Sequence, residues 1–181
     1  MNVNEFCTIW LLENMTESEL RQTVRRAYHF ACGYCSVREE DAASELELDH
    51  FKPRSLDGGD ELENLVYCCT TCNRIKGDFW AIPPTEKRIL HPQNDDLTLH
   101  LRQEPDGHLI GLTETGKFHL KRLRLNRPPL VALRRARMEN ARLHEELRQS
   151  QTAQKELTEH LQKRDREIER IYEEINRLLK K

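Results

Sequence analysis

The sequence has no apolar run approaching the ~20 residues of a membrane-spanning helix, and its N-terminus lacks a basic stretch followed by an apolar core. Those absences predict a cytoplasmic protein. Aromatic residues are scarce, at 6% of 181, and hydrophobic residues reach only 37% against 33% charged. That balance is lean for a packed globule. The shortage is local. From about Met138 onward glycine is missing and the only aromatic is Tyr172, whereas the first 125 residues hold the other ten aromatics and all seven glycines. A compact domain followed by a long helical tail fits this distribution.

Net charge is also slight, at −2, so bulk charge argues neither for nor against nucleic acid. Its distribution says more: residues 1–80 carry a net −7 and residues 81–181 a net +5. Between Lys117 and Met138 stand eight bases, Lys117, Lys121, Arg122, Arg124, Arg127, Arg134, Arg135 and Arg137, and no acid. A solvated helix face normally mixes signs, so this tract is a candidate phosphate-binding surface.

Thr16-Glu17-Ser18-Glu19 has capping-box spacing, and Leu20, Val24 and Tyr28 recur on one face, which predicts a helix from about Glu17 to Phe30. Glu45–Phe51 alternates polar and apolar residues as a half-buried strand does. The Pro, Ser and Gly-Gly content of Lys52–Asn64 marks a loop. Leu65–Cys68 reads as a second strand, and Cys72–Lys76 as a short helix stopped by Gly77. Leu97–Leu112 reads as a hairpin turning at Asp106-Gly107, and Thr113–Leu125 as a helix capped by Thr113 or Thr115. The "NRPP" stretch breaks the chain, and the tail begins at Leu130.

The tail fits a heptad with Leu133, Asn140, Leu147, Gln154, Leu161, Ile168 and Ile175 at position a, and Ala136, Leu143, Ser150, Leu157, Arg164, Ile171 and Leu178 at d. Ten of those fourteen are apolar, which predicts a coiled coil, strongest from Leu157 to Leu178. A fifty-residue helix of this kind reaches roughly 75 Å and needs a partner helix to cover its stripe. Asn140 at an a position suits a register-fixing role in a dimer.

Cys32-x-x-Cys35 and Cys69-x-x-Cys72 are two knuckles of the kind that hold a structural Zn²⁺ through four thiolates. A reducing compartment and the lack of a thioredoxin-like βαβ pattern disfavour redox-active pairs. Cys68 is left as a small buried residue and Cys7 stands alone. Thirty-three residues separate Cys35 from Cys69, more than a plain zinc ribbon needs, and the insert contains Asp49-His50. A hard ion such as Mg²⁺ takes oxygen ligands, and Asp49 with Asn73, fixed directly after the last thiolate, offers two while His50 takes a proton from water.

The stretch "LDHFKPRSLDGGDELENLVYCCTTCNRIKGD" resembles the HNH (His-Me finger) endonucleases, in the subgroup braced by a four-cysteine zinc site. The likeness covers Cys32 to about Gly77: the Asp-His pair, the following Pro, Gly58-Gly59, Asn64-Leu65, Cys-x-x-Cys-Asn and Lys76-Gly77. It implies an α+β fold with a ββα-metal core, His50 as general base, Asp49 and Asn73 as ligands of a catalytic Mg²⁺ or Mn²⁺, and Asn64 as the residue that tethers the loop and orients His50. Asn73 in the last position makes an HNN variant. The substrate class implied is DNA, with RNA second. Lys52, Arg54, Arg74 and Lys76 stand where they would contact flanking phosphates, joined by Lys121, Arg122 and Arg124 of the basic tract.

Four segments follow from this reading: an N-terminal helical segment (1–30), a nuclease core with zinc knuckles (31–80), a hairpin and basic-helix extension (81–129) and a coiled-coil helix (130–181). Gly111–Arg135 is similar to the segment after the nuclease motif in small bacterial HNH proteins, some of them encoded beside ATPases in anti-phage defence systems. The partner expected is a second copy or a helix of another protein such as an ATPase. The rival reading is a zinc-braced nucleic-acid-binding or adaptor module assembled through its coiled coil.

Overall fold

The structure, a computed structural model, describes residues 15–81 and 85–179. Cys7 and the first half of the expected N-terminal segment lie outside them. Helix α1 (Glu17–Ala27) opens with the expected capping box: the Thr16 amide donates to Glu19 at 2.8 Å, and the Glu19 amide to the Thr16 hydroxyl at 3.3 Å. It ends three residues early, because His29 and Phe30 take the left-handed conformation, with φ of 52° and 59°. That turn feeds the chain into the first cysteine knuckle. There the Gly33 amide donates to the Tyr67 carbonyl at 2.8 Å, fixing the knuckle to the sheet.

A single helical turn, α2 (Glu39–Ala42), leads to β1 (Glu47–His50), which pairs antiparallel with β2 (Leu65–Cys68). All four residues of β2 are buried, and Asp49 of β1 lies opposite Val66. The loop between the strands holds two 3-10 turns, Arg54–Leu56 and Leu62–Asn64. At Gly58 a Cβ would fall 1.8 Å from the Lys52 carbonyl oxygen, so only glycine lets the loop close this tightly. Helix α3 (Thr70–Lys76) follows at once, with the Cys69 sulfur accepting the Cys72 amide at 3.4 Å as its N-cap. It stops at Gly77, whose φ of +52° suits glycine. Two antiparallel strands and a helix packed on them make the ββα unit that the sequence implied.

The extension departs from expectation at one point. Leu97–His100 forms a helical turn, α4, where the sequence read a strand. The Asp96 carboxylate accepts the Thr98 amide at 2.9 Å, and this local cap outcompetes the extended alternative. The hairpin is therefore shorter, β3 (Leu101–Gln103) with β4 (Leu109–Gly111). Helix α5 (Glu114–Arg122) is capped by Thr113, which accepts the Gly116 amide at 3.0 Å. Helix α6 (Pro128–Leu179) starts on two prolines, which suit the first turn of a helix because no intrahelical amide is needed there. Among the described residues no helix is long and apolar enough to cross a membrane.

The chain divides into two compact units, Met1–Arg135 and Ala136–Lys181. The core of the first gathers Val24, Leu46, Val66, Tyr67, Leu123, Leu125 and Leu130. Within it Tyr67, 0% exposed, accepts the Leu46 amide at 2.9 Å and donates to Glu39, which is also held by Arg25 at 2.6 Å. His119 is also inside, 2% exposed, with Nδ1 accepting the Leu90 amide at 3.0 Å.

Burial pushes the His119 pKa down from 6.5 to about 4. A histidine so depressed stabilises the fold fully above its unfolded pKa, and that contribution is lost as pH falls from 6.5 towards 4. At about 1.4 kcal/mol per unit this amounts to about 3 kcal/mol. Urea unfolding of the protein and of His119→Gln at pH 7 and pH 4.5 checks it: the variant is expected to lose less stability between the two.

Candidate active site

The four knuckle cysteines converge. Cys32, Cys35 and Cys72 are buried, Cys69 partly so, and the four sulfurs lie within 4.8 Å of one another. Cys35 and Cys69 are 3.7 Å apart at sulfur. A tetrahedral zinc with bonds of about 2.3 Å spaces its thiolates about 3.8 Å apart, so the cluster has the dimensions of a structural zinc site. Burial pushes the Cys32 thiol up, while hydrogen bonding from Cys32 holds Cys69 well below the usual thiol range. Cys68 points away from the cluster into the core, and burial pushes its thiol up. Arg127 completes the site: its guanidinium lies 3.4 Å from the Cys72 sulfur and 3.9 Å from those of Cys35 and Cys69. Four thiolates around a dication leave a net −2, which this arginine partly offsets. No local signal in the sequence marks Arg127, far along the chain from the knuckles.

The zinc site sets the base of the neighbouring cleft. Asn73 is one residue beyond Cys72, and its amide nitrogen donates to Glu47 at 2.8 Å. Glu47 is a pure acceptor, further held by the Thr70 hydroxyl at 2.6 Å, so the nitrogen end of the Asn73 side-chain amide is the one turned to it. Those hydrogen bonds, from Asn73 first and Thr70 second, hold the Glu47 carboxyl below its usual range.

Asp49 is 7% exposed. One oxygen accepts the Tyr34 hydroxyl at 2.5 Å and the other the Lys76 ammonium at 3.0 Å. Burial outweighs that ammonium and raises the Asp49 carboxyl above its usual range. Lys76 is 1% exposed and also donates to the His50 carbonyl at 2.7 Å. The lysine expected at a flanking phosphate thus sits beneath the site as the counter-charge of Asp49.

His50, next along the strand, faces the cleft. Phe51 turns the other way, its ring centroid 4.5 Å from that of His91. His50 Nε2 lies 2.6 Å from the Asp60 carboxylate, and Arg54 approaches both, at 3.1 Å from the imidazole and 2.5 Å from Asp60. Nε2 thus lies between a carboxylate that only accepts and an Arg54 Nε–H that only donates, and of the two the hydrogen bond with Asp60 is the shorter. That hydrogen bond holds the Asp60 carboxyl below its usual range.

Asn64 closes the loop. Its side-chain oxygen accepts the Lys52 amide at 2.7 Å, and its nitrogen donates to the carbonyls of Lys52 at 3.1 Å and Gly59 at 2.8 Å. Leu48, Asp49, His50, Pro53, Arg54, Ser55, Asn73, Gly77 and Asp78 line a single cleft of about 300 Å³. Sequence reasoning missed Tyr34, Glu47, Asp60 and Asp78 here, although Tyr34 lies inside the first knuckle and Asp60 directly follows the glycine pair.

Part of the basic tract is turned inward, while Lys117, Lys121, Arg124 and Arg135 are exposed. Arg122 donates to the carbonyls of Ile75 and Lys76, at 2.8 Å to the latter, and stacks over Phe79, so it ties α5 to the end of α3. Arg134 is buried on the carbonyls of Gly107 and Leu125, at 2.6 and 2.8 Å. Lys121 and Arg124 remain exposed, and with Lys117, Arg127 and Asn126 they line a second cleft of about 550 Å³. Arg54 and Arg74 are exposed and Lys52 partly so.

Residues 32–79 match the family of HNH endonucleases, about a quarter of the chain and the same stretch that carries the cysteine cluster and the cleft. No curated protein matches the chain. The class that this segment defines is, in general terms, a nuclease.

Proposed function

We propose that the protein is a metal-dependent HNH endonuclease hydrolysing DNA phosphodiester bonds. One observation carries the reading: a single cleft collects His50, Asp49 and Asn73, the base and the two oxygen donors. Asp49 and Asn73 suit a hard divalent ion, Mg²⁺ or Mn²⁺, whose bound charge would offset that developing on the departing 3′ oxygen. His50 takes a proton from water as the water attacks phosphorus in line, Asp60 steadies the imidazolium that results, and the departing 3′ oxygen takes up a proton from solvent as its bond to phosphorus breaks. Asn64 holds the loop that carries His50. Lys52, Arg54, Arg74, Lys121 and Arg124 supply the flanking phosphate contacts, while Arg122 and Lys76 act from beneath. The products carry 5′-phosphate and 3′-hydroxyl ends. End-labelling of fragments from a plasmid digest with Mg²⁺ or Mn²⁺ tests this; 3′-phosphate ends would contradict it.

Asp60 is the positioning residue of this scheme. Asp60→Asn is expected to lower kcat about tenfold, in the range usual for an outer partner of a site residue, with KM unchanged. Asp60→Glu is expected to recover part of the loss. A rise in KM at constant kcat would assign Asp60 to substrate binding instead.

The enzyme is read as one member of an assembly, of the kind found in bacterial anti-phage defence. The unpartnered apolar stripe of α6 and the resemblance of residues 111–135 to defence-associated proteins support that. A zinc-braced binding or adaptor module is the second reading, favoured by one feature: both Asp49 oxygens already have partners within the chain. A folded, zinc-loaded protein that binds DNA without cutting it in either metal would select it.

A further inference from the structure

The described residues of the second unit, Ala136–Lys181, carry an exposed apolar face. Every residue from 138 to 179 is exposed. Leu143, Leu147, Leu157, Leu161, Ile168, Ile171, Ile175 and Leu178, all at heptad a or d, are each 44 to 65% exposed. A helix of 52 residues with such a stripe is stable when a second helix covers it.

The charges beside the stripe select the occupant. Position g holds Glu139, Glu146, Ala153, His160, Glu167 and Glu174; position e holds His144, Gln151, Thr158, Asp165, Tyr172 and Leu179. In a parallel pair each g residue meets the e residue five places on in the other helix. For two copies of this chain those contacts are Glu139 with His144, Glu146 with Gln151, Ala153 with Thr158, His160 with Asp165, Glu167 with Tyr172 and Glu174 with Leu179. None sets like charges together. In an antiparallel pair g meets g, and the register of greatest overlap sets Glu139 against Glu174 and Glu146 against Glu167, twice over. Arg142 lies 2.7 Å from Glu139 and 3.8 Å from Glu146, which tempers part of that repulsion.

The interior layers agree. Parallel and in register, Asn140, Ser150 and Gln154 each face their own copy, so polar side chains meet polar side chains. Antiparallel, the same residues fall against Ile171, Leu161 and Leu157 and go unpaired. One layer opposes the arrangement: Arg164 would meet Arg164, with Asp165 beside each to lessen the clash.

We infer that α6 binds a second copy of this chain as a parallel, in-register coiled coil. It commits the assembly to self-pairing and stands independently of the nuclease reading. Sedimentation of the full chain at tens of micromolar is expected to give twice the chain mass, and Leu161→Lys with Ile168→Lys the single mass. Under mild oxidation Ile175→Cys is expected to form a covalent dimer that the unmodified chain, with its native cysteines, does not form. A single-chain mass overturns the inference, and so does a doubled mass without the Ile175→Cys cross-link. A monomer that still cuts DNA would remove the pairing and leave the nuclease reading standing.

Discussion

Cys72→Ser is expected to leave the first unit without cooperative unfolding and its zinc content near zero. Cys72 is 0% exposed and, with Cys32 and Cys35, lies within the same cluster as Val66 and Tyr67, so the four-cysteine site and the core are one structure. Structural zinc supplies roughly 10–16 kcal/mol of apparent binding in small zinc modules, as much as or more than the roughly 5–15 kcal/mol stability of a whole domain. Losing it removes the turn that caps α3, the anchor of Asn73 and the partner of Arg127 together. Differential scanning calorimetry with metal analysis reads this directly. A strong chelator on the unmodified protein is expected to have the same effect, reversed by added Zn²⁺. A Cys72→Ser variant that melts within a few degrees of the parent would remove zinc from the account of stability.

Lys76→Met is expected to destabilise the fold by about 3–5 kcal/mol, the usual cost of stranding one partner of a buried ion pair. Lys76 and Asp49 are 1% and 7% exposed, and 3.0 Å separates ammonium from carboxylate. Burial already holds the Asp49 carboxyl above its usual range with the lysine present, and removing the lysine leaves the Tyr34 hydroxyl as its hydrogen-bond partner among the described residues. Asp49→Asn with Lys76→Met strands neither charge, so the double variant is expected to be more stable than Lys76→Met alone. Urea midpoints of the two single variants and the double give the coupling. Additive losses would mean that lysine and aspartate act independently.

The ββα unit and its site were legible because several short-range signals coincide there. Cys-x-x-Cys spacing, the Asp-His pair before a proline and the glycine pair each reflect a local constraint, and the resemblance set them in order. Tail length and heptad were legible from periodicity alone. What stayed hidden depends on contacts between distant segments. Arg127 reaches thiolates of both knuckles, Glu47 crosses from β1 to α3, and Arg122 and Arg134 turn inward to cap backbone carbonyls. A run of eight basic residues reads as a surface because sequence carries the charge but not the direction of the side chain. The Leu97–His100 turn was misread as strand because its alternation mimics one, while the cap that makes it helical is a single aspartate.

The most direct measurement is cleavage of supercoiled plasmid by the full chain with Mg²⁺ or Mn²⁺, beside His50→Ala brought to the same zinc content. Among the described residues the His50 side chain is hydrogen-bonded to Asp60 and Arg54, both outside the cysteine cluster and the core, so its loss leaves those in place. Metal-dependent cleavage by the protein, with a fall of about 10²–10⁴-fold in the variant, is the expected result for removal of a general base. Equal cleavage by the two would contradict the assignment of the reaction to this cleft.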